Sequence, residues 1–136
     1  MGIRAIGAAT TLSALYLHRC SKMAPEHLGY LTSLVNLTKL DLGLASRLTD
    51  EHMTFLSSLQ LLTFLDISRG KHITANGLRH LATLTNLRSL DLTSCVSIES
   101  DGLQHFSALK SLERIRLARC TLLTDAALVT LGMNFF

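Results

Sequence analysis

One pattern dominates this 136-residue chain. A leucine followed by Leu or Ile three and five positions later begins at Leu12, Leu37, Leu62, Leu87 and Leu112, each start 25 residues after the last and without insertion. Leu15, Leu40, Leu65, Leu90 and Ile115 hold the second slot, and Leu17, Leu42, Ile67, Leu92 and Leu117 the third. Met23, Leu48, Ile73, Ile98 and Leu123 recur six positions further on. A period of this length marks one supersecondary unit per repeat, and each unit can bury its apolar face only against its neighbours.

Within each unit the apolar spacing changes. Steps of two, as in Leu40-Asp41-Leu42, predict a short strand with side chains alternating between faces. Steps of three follow, as at Leu78, Leu81 and Leu84, and predict a short helix. Thr49, Thr74 and Thr124 stand at N-cap positions, Asp50, Glu51 and Asp125 suit the positive end of a helix dipole, and Pro25 falls in a first turn. The expected division is a half-repeat over 1–11 and full repeats over 12–36, 37–61, 62–86, 87–111 and 112–136, all in one domain. Neighbouring strands stack about 4.8 Å apart and neighbouring helices about 8–10 Å. That mismatch bends the stack. The expected fold class is therefore α/β: a curved solenoid with a parallel sheet on its concave face and short helices on its convex face.

Composition closes off other classes. With 48% hydrophobic and 17% charged residues the chain is globular, and a net charge of +3 is too small a bias to imply a nucleic-acid partner. No run reaches the roughly 18 apolar residues of a membrane-spanning helix. Arg4 and the apolar stretch after it have the composition of a secretory leader or a mitochondrial presequence, but the repeat register uses the same residues for structure. Three cysteines, an odd number, suit a reducing compartment. Cytoplasm or nucleus is the expected location, with mitochondria the alternative.

The stretches LRSLDLTSCVSIESDGLQHFSAL and LERIRLARCTLLTDAALVTL resemble leucine-rich repeats of the cysteine-containing subtype, familiar from the substrate-binding regions of F-box proteins. The resemblance spans almost the whole chain and is specific for fold rather than function. It implies a noncatalytic protein-binding scaffold or adaptor, part of a larger protein or complex, or alternatively the substrate-recognition component of a ubiquitin ligase. Two departures stand out: the cysteine slot carries Ala45 and Gly70 in the second and third repeats, and no F-box segment is present.

Cys20, Cys95 and Cys120 share the ninth position of the repeat with Ala45 and Gly70. A slot that accepts Ala and Gly needs a small side chain, not a thiol, so the expected role is a buried wall with S–H near a backbone carbonyl. His27 with His52, and His80 with His105, repeat on the helical side at a spacing too wide for shared metal ligation and read as a solvated convex face. Gly77 and Gly102 open helices, and no Lys-Ser/Thr follows them as a phosphate loop requires. No triad or carboxylate pair stands out, so neither catalysis nor a cofactor or metal is expected.

The positions between inward leucines are where specificity can reside. One row reads Ala14, Lys39, Phe64, Ser89, Arg114 and the next Tyr16, Asp41, Asp66, Asp91, Arg116. A third reads His18, Gly43, Ser68, Thr93, Ala118, and the loop edge adds Arg19, Leu44, Arg69, Ser94, Arg119. The expected partner-binding residues are Tyr16, Arg19, Lys39, Asp41, Phe64, Asp66, Arg69, Asp91, Arg114, Arg116 and Arg119, forming a face that runs from an acidic middle to a basic end. Phe64 and Tyr16 are the expected anchors for a protein ligand. Phe64→Ala and Asp66→Lys are both expected to weaken binding and spare the fold.

At the start, Gly2, Ile3 and Ile6 align with Gly77, Leu78 and Leu81, the helical half of a unit. At the end, Met133, Phe135 and Phe136 offer an uncapped apolar surface for end docking. A fragment of a longer array, end-to-end self-association and docking into a large assembly are the three explanations, the first and third preferred. The partners are thus expected to be protein, with no membrane and no nucleic acid.

Overall fold

A computed structural model of the chain describes residues 2–20 and 23–132. Met133, Phe135 and Phe136, the expected end-docking residues, lie outside that range.

Five three-residue strands form the sheet: β1 (Ala14–Tyr16), β2 (Lys39–Asp41), β3 (Phe64–Asp66), β4 (Ser89–Asp91) and β5 (Arg114–Arg116). They pair in chain order, all parallel, and each residue faces the one 25 positions on: Leu40 opposite Leu65, Asp41 opposite Asp66. Four α-helices lie between or flank them: α1 (Gly2–Ile6), α2 (Asp50–Leu56), α3 (Ala75–Leu81) and α4 (Asp125–Thr130). Two segments, Pro25–Ser33 and Ser100–Ala108, are 3-10 helices instead. All six stack in chain order on the other side of the coil.

The split between α and 3-10 follows the entry residue. Thr49, Thr74 and Thr124 precede α2, α3 and α4, and Thr74 accepts a hydrogen bond from the Asn76 N–H at 3.2 Å. Ala24 and Glu99 stand in that slot before the two 3-10 helices, and neither offers a capping bond. In both kinds of helix the first N–H groups bond carbonyls three residues back, His27 on Ala24 and Gly102 on Glu99 as His52 on Thr49 and Ala127 on Thr124.

Leucines fill the layer between sheet and helices. Leu40, Leu65, Leu37, Leu62, Leu87, Leu59 and Leu84 are fully buried. Leu15 and Ile115 occupy the same slot on the edge strands β1 and β5 and stay half-buried, because a neighbouring strand covers them on one side only. The strands' other face is open, since the helices all pack on the leucine side. Unequal strand and helix spacings make this open face the inner curve.

Candidate functional site

The open face is a grid that the register sets. Ala14, Lys39, Phe64, Ser89 and Arg114 lie side by side across the strands, and Tyr16, Asp41, Asp66, Asp91 and Arg116 form the adjoining row. Phe64, half-buried, sits at the centre of a groove of about 340 Å³ lined also by Tyr16, Lys39, Arg88, Ser89 and Arg114. Tyr16 is 61% exposed. Two aromatic rings therefore stand on a hydrogen-bonded sheet with Lys39, Arg88 and Arg114, and with Glu113 lining the same groove.

The three aspartates line up on neighbouring strands, and each carboxylate also has a backbone partner. Asp41, Asp66 and Asp91 each accept, through Oδ1, the backbone N–H two residues on: Gly43 at 2.8 Å, Ser68 at 2.8 Å and Thr93 at 2.9 Å. The carboxylates thus hold the turn that leaves each strand. Asp91 is buried and also accepts from Arg116 Nη1 at 3.2 Å, and Asp41 is within 3.3 Å of His18 Nδ1. Within the row, Asp91 alone is paired with an arginine. Asp66→Lys removes the acceptor of the Ser68 N–H, so some loss of stability is expected of that change besides any loss of binding.

The loop-edge row holds a feature that sequence reasoning missed. Arg19, Leu44, Arg69, Ser94 and Arg119 all have positive φ, between 61° and 67°. None is glycine, and the left-handed conformation costs a side-chain-bearing residue about 1–2 kcal/mol. In four of the five it turns the N–H onto the next coil: Arg19 onto the Gly43 carbonyl at 2.9 Å, Leu44 onto Ser68 at 3.0 Å, Arg69 onto Thr93 at 2.8 Å and Ser94 onto Ala118 at 2.7 Å. Those bonds extend the ladder past the strand ends and hold the bend. Arg19, Leu44, Ser46, Arg69 and Lys71 line a second groove, also about 340 Å³.

His18, placed in the third row but not among the expected contacts, leans over Asp41. A Cβ at Gly43 would stand 2.6 Å from His18 Nδ1, so the glycine one coil on makes room for the imidazole. That Gly opposite a His was the available signal. His18, Asp41 and Asp66 bring ligating atoms within 4.8 Å of one another and are the described residues that could hold a metal. Their contacts to Gly43, Ser68 and each other already occupy Oδ1 of both carboxylates and the Nδ1 of the ring.

Cys95 and Cys120 are buried, and their thiols donate to the Ile67 and Leu92 carbonyls of the preceding coil at 3.4 and 3.1 Å. Burial pushes the Cys95 thiol up to about 12 from 9.0, opposed by a hydrogen bond from Gly70 and aided by the nearby Cys120, Asp91 and Asp66. Cys120 is raised as well, chiefly by burial. A thiol held protonated this far above neutrality is a poor nucleophile. Cys20 departs from the pattern and is only half-buried. The convex histidines depart too: His52 Nδ1 accepts the Thr49 N–H at 3.2 Å, so it caps α2 rather than simply facing water.

Among the described residues no helix is long and apolar enough to cross a membrane. A leucine-rich-repeat family model matches residues 83–107, the span that contains β4 and most of the second 3-10 helix. A search of curated proteins returns no match to the chain. The matched repeat and the five-stranded parallel sheet with short helices together make the fold an α/β leucine-rich-repeat solenoid.

Proposed function

We propose that this leucine-rich-repeat arc is a noncatalytic protein-binding scaffold or adaptor, which holds its partner on the open sheet face within a larger protein or complex. One observation carries the reading: Phe64 lies half-buried at the centre of a groove flanked by Lys39, Arg114 and the exposed Tyr16, on strands whose backbone is locked by parallel pairing. Aromatic anchors ringed by polar groups on a rigid surface are what protein interfaces use. The contact set proposed is Tyr16, Arg19, Lys39, Phe64, Arg69, Arg114, Arg116 and Arg119, with Asp41, Asp66 and Asp91 beside them, each holding the turn after its own strand. Three free cysteines, two of them buried, favour a reducing compartment. Substrate recognition in a ubiquitin ligase is a narrower form of the same reading, and an F-box in the parent chain is its test.

The test of the face itself is site-specific photocrosslinking. A crosslinker at position 64 is expected to capture a partner, while one at Arg79, exposed on α3, is expected to capture none. With the captured partner purified, Phe64→Ala should weaken binding about tenfold or more while the melting temperature changes little. Capture from α3 alone would move the interface to the helical side.

A further inference from the structure

We propose that the segment held on this face is acidic, extended across the coils, and carries carboxylates about three residues apart. This rests on the protein-binding reading above and adds the chemistry of the partner.

The argument is one of charge left over. Among the described residues the carboxylate contacts to basic side chains are the ion pairs Arg88–Glu113 and Arg116–Asp91 and the hydrogen-bond contact of His18 with Asp41. On the face Glu113 and Asp91 are paired with arginines, while the Gly43 and Ser68 N–H groups fix where the Asp41 and Asp66 carboxylates sit. Arg19, Arg69 and Arg119 along the loop edge, Lys39 and Arg114 beside Phe64, and Lys71 are exposed and have no ion-pair partner among the described residues. An acidic ligand complements such a surface, gaining on-rate and register from the match.

Geometry supplies the spacing. Arg19, Arg69 and Arg119 occupy one repeat position on alternate coils, so their backbones stand about two strand spacings, roughly 10 Å, apart. Three residues of extended or polyproline chain, at about 3.1–3.3 Å each, cover the same distance. The left-handed turns make these anchor points rigid, since the Arg19 and Arg69 N–H groups are bonded to the next coil at 2.9 and 2.8 Å. The groove between Arg19 and Arg69, about 340 Å³ and lined by Leu44, has room for a side chain between two acidic ones. A nucleic-acid strand fits less well. Its unbroken run of phosphates would pass over the carboxylates of Asp41 and Asp66, whereas a peptide can set neutral residues there.

The experiment measures fluorescence anisotropy with the full chain. The probe is a labelled peptide bearing glutamate at every third position and apolar residues between, against its glutamine counterpart and a labelled single-stranded oligonucleotide. Binding to the glutamate peptide is expected, with loss of about tenfold or more on replacing glutamate by glutamine. The double variant Arg19→Asn/Arg69→Asn is the decisive protein change, because Asn tolerates positive φ and keeps the turns. It should lose about tenfold in affinity with an unchanged melting temperature. Arg79→Gln on α3 should lose nothing, which separates local from total charge.

Equal binding of both peptides, or an unaffected double variant, overturns the proposal. So does tighter, steeply salt-dependent binding of the oligonucleotide, which would make the ligand a nucleic acid. If the acidic peptide fails while crosslinking through position 64 succeeds, the acidic partner falls and the protein-binding face stands.

Discussion

The Cys95 thiol and the Asp66 carboxylate are two reactive-looking groups that the fold uses as hydrogen-bonding struts. Folded Cys95 keeps its proton to about 12 while the unfolded thiol ionises at the ordinary 9.0. Stability is therefore level below about pH 9 and falls as pH rises between these values. Cys95→Ala should abolish that part of the slope, so chemical denaturation of both proteins between neutral and strongly alkaline pH should show the curves converging as pH rises. At neutral pH the same variant should cost about 1–2 kcal/mol, from the lost bond to Ile67 and a small void. A thiol reagent should label the half-buried Cys20 in the native state, and Cys95 and Cys120 only on unfolding. For Asp66, alanine should cost about 1–2 kcal/mol in thermal unfolding and asparagine far less, because its Oδ1 still accepts the Ser68 N–H. The small-residue slot was legible in the sequence from Ala45 and Gly70. The capping duty of the aspartates was not, since a residue between two leucines in a strand reads simply as outward-facing.

At the scale of elements, side-chain bonds stitch each coil to the next, and most link residues 24 to 28 apart. Asp50 at the start of α2 accepts the Thr74 N–H at 2.7 Å and the Thr74 hydroxyl at 2.6 Å, joining two helix starts. Ser100 and Thr124 repeat the arrangement two coils later, with the Thr124 N–H donating to Ser100 Oγ at 3.1 Å. Thr38 and Thr63 hydroxyls donate to Ser13 and Thr38 carbonyls at 3.0 Å, and Arg88–Glu113 continues that column as an ion pair. Gly77 belongs to the first of these joints, because a Cβ there would collide with Asp50 Oδ1 and approach Met53 Cγ to 3.1 Å. Asp50→Ala should cost about 1.5–3 kcal/mol by leaving the Thr74 N–H unpaired. Gly77→Ala should also destabilise. The double variant should cost clearly less than the sum, since removing the carboxylate vacates the space the new methyl needs. Urea titrations of the four proteins measure that coupling. In the sequence Asp50 is legible only as an acid suited to the helix dipole, because its partner lies 24 residues away.

For the whole molecule, stability is a sum over coils and the interfaces between them. Leu65, fully buried on the central strand, has covered neighbours on both sides, while Ile115 on edge strand β5 has one. Leu65→Ala should cost about 3–5 kcal/mol and Ile115→Ala about 1–2 kcal/mol, although the two occupy one repeat position. Equal costs in equilibrium unfolding would show that the coils do not share their burial in this way. The edge strand itself carries Arg114 and Arg116, and charge on an edge discourages pairing with another chain.

The sequence by itself determined the coil: the 25-residue period, the slot that takes small residues, the leucines that go inside and the registered rows of the open face. These were legible because periodicity is one-dimensional information, repeated in every unit and enforced by burial. Tertiary structure alone decided that the Asp row is largely absorbed into the turns, that five side-chain-bearing residues adopt positive φ, and that cations are left over beside Phe64. Those outcomes depend on which donor lies within about 3 Å of which acceptor on the adjacent coil. The spacing of residues along the chain does not encode that distance until the coils are stacked.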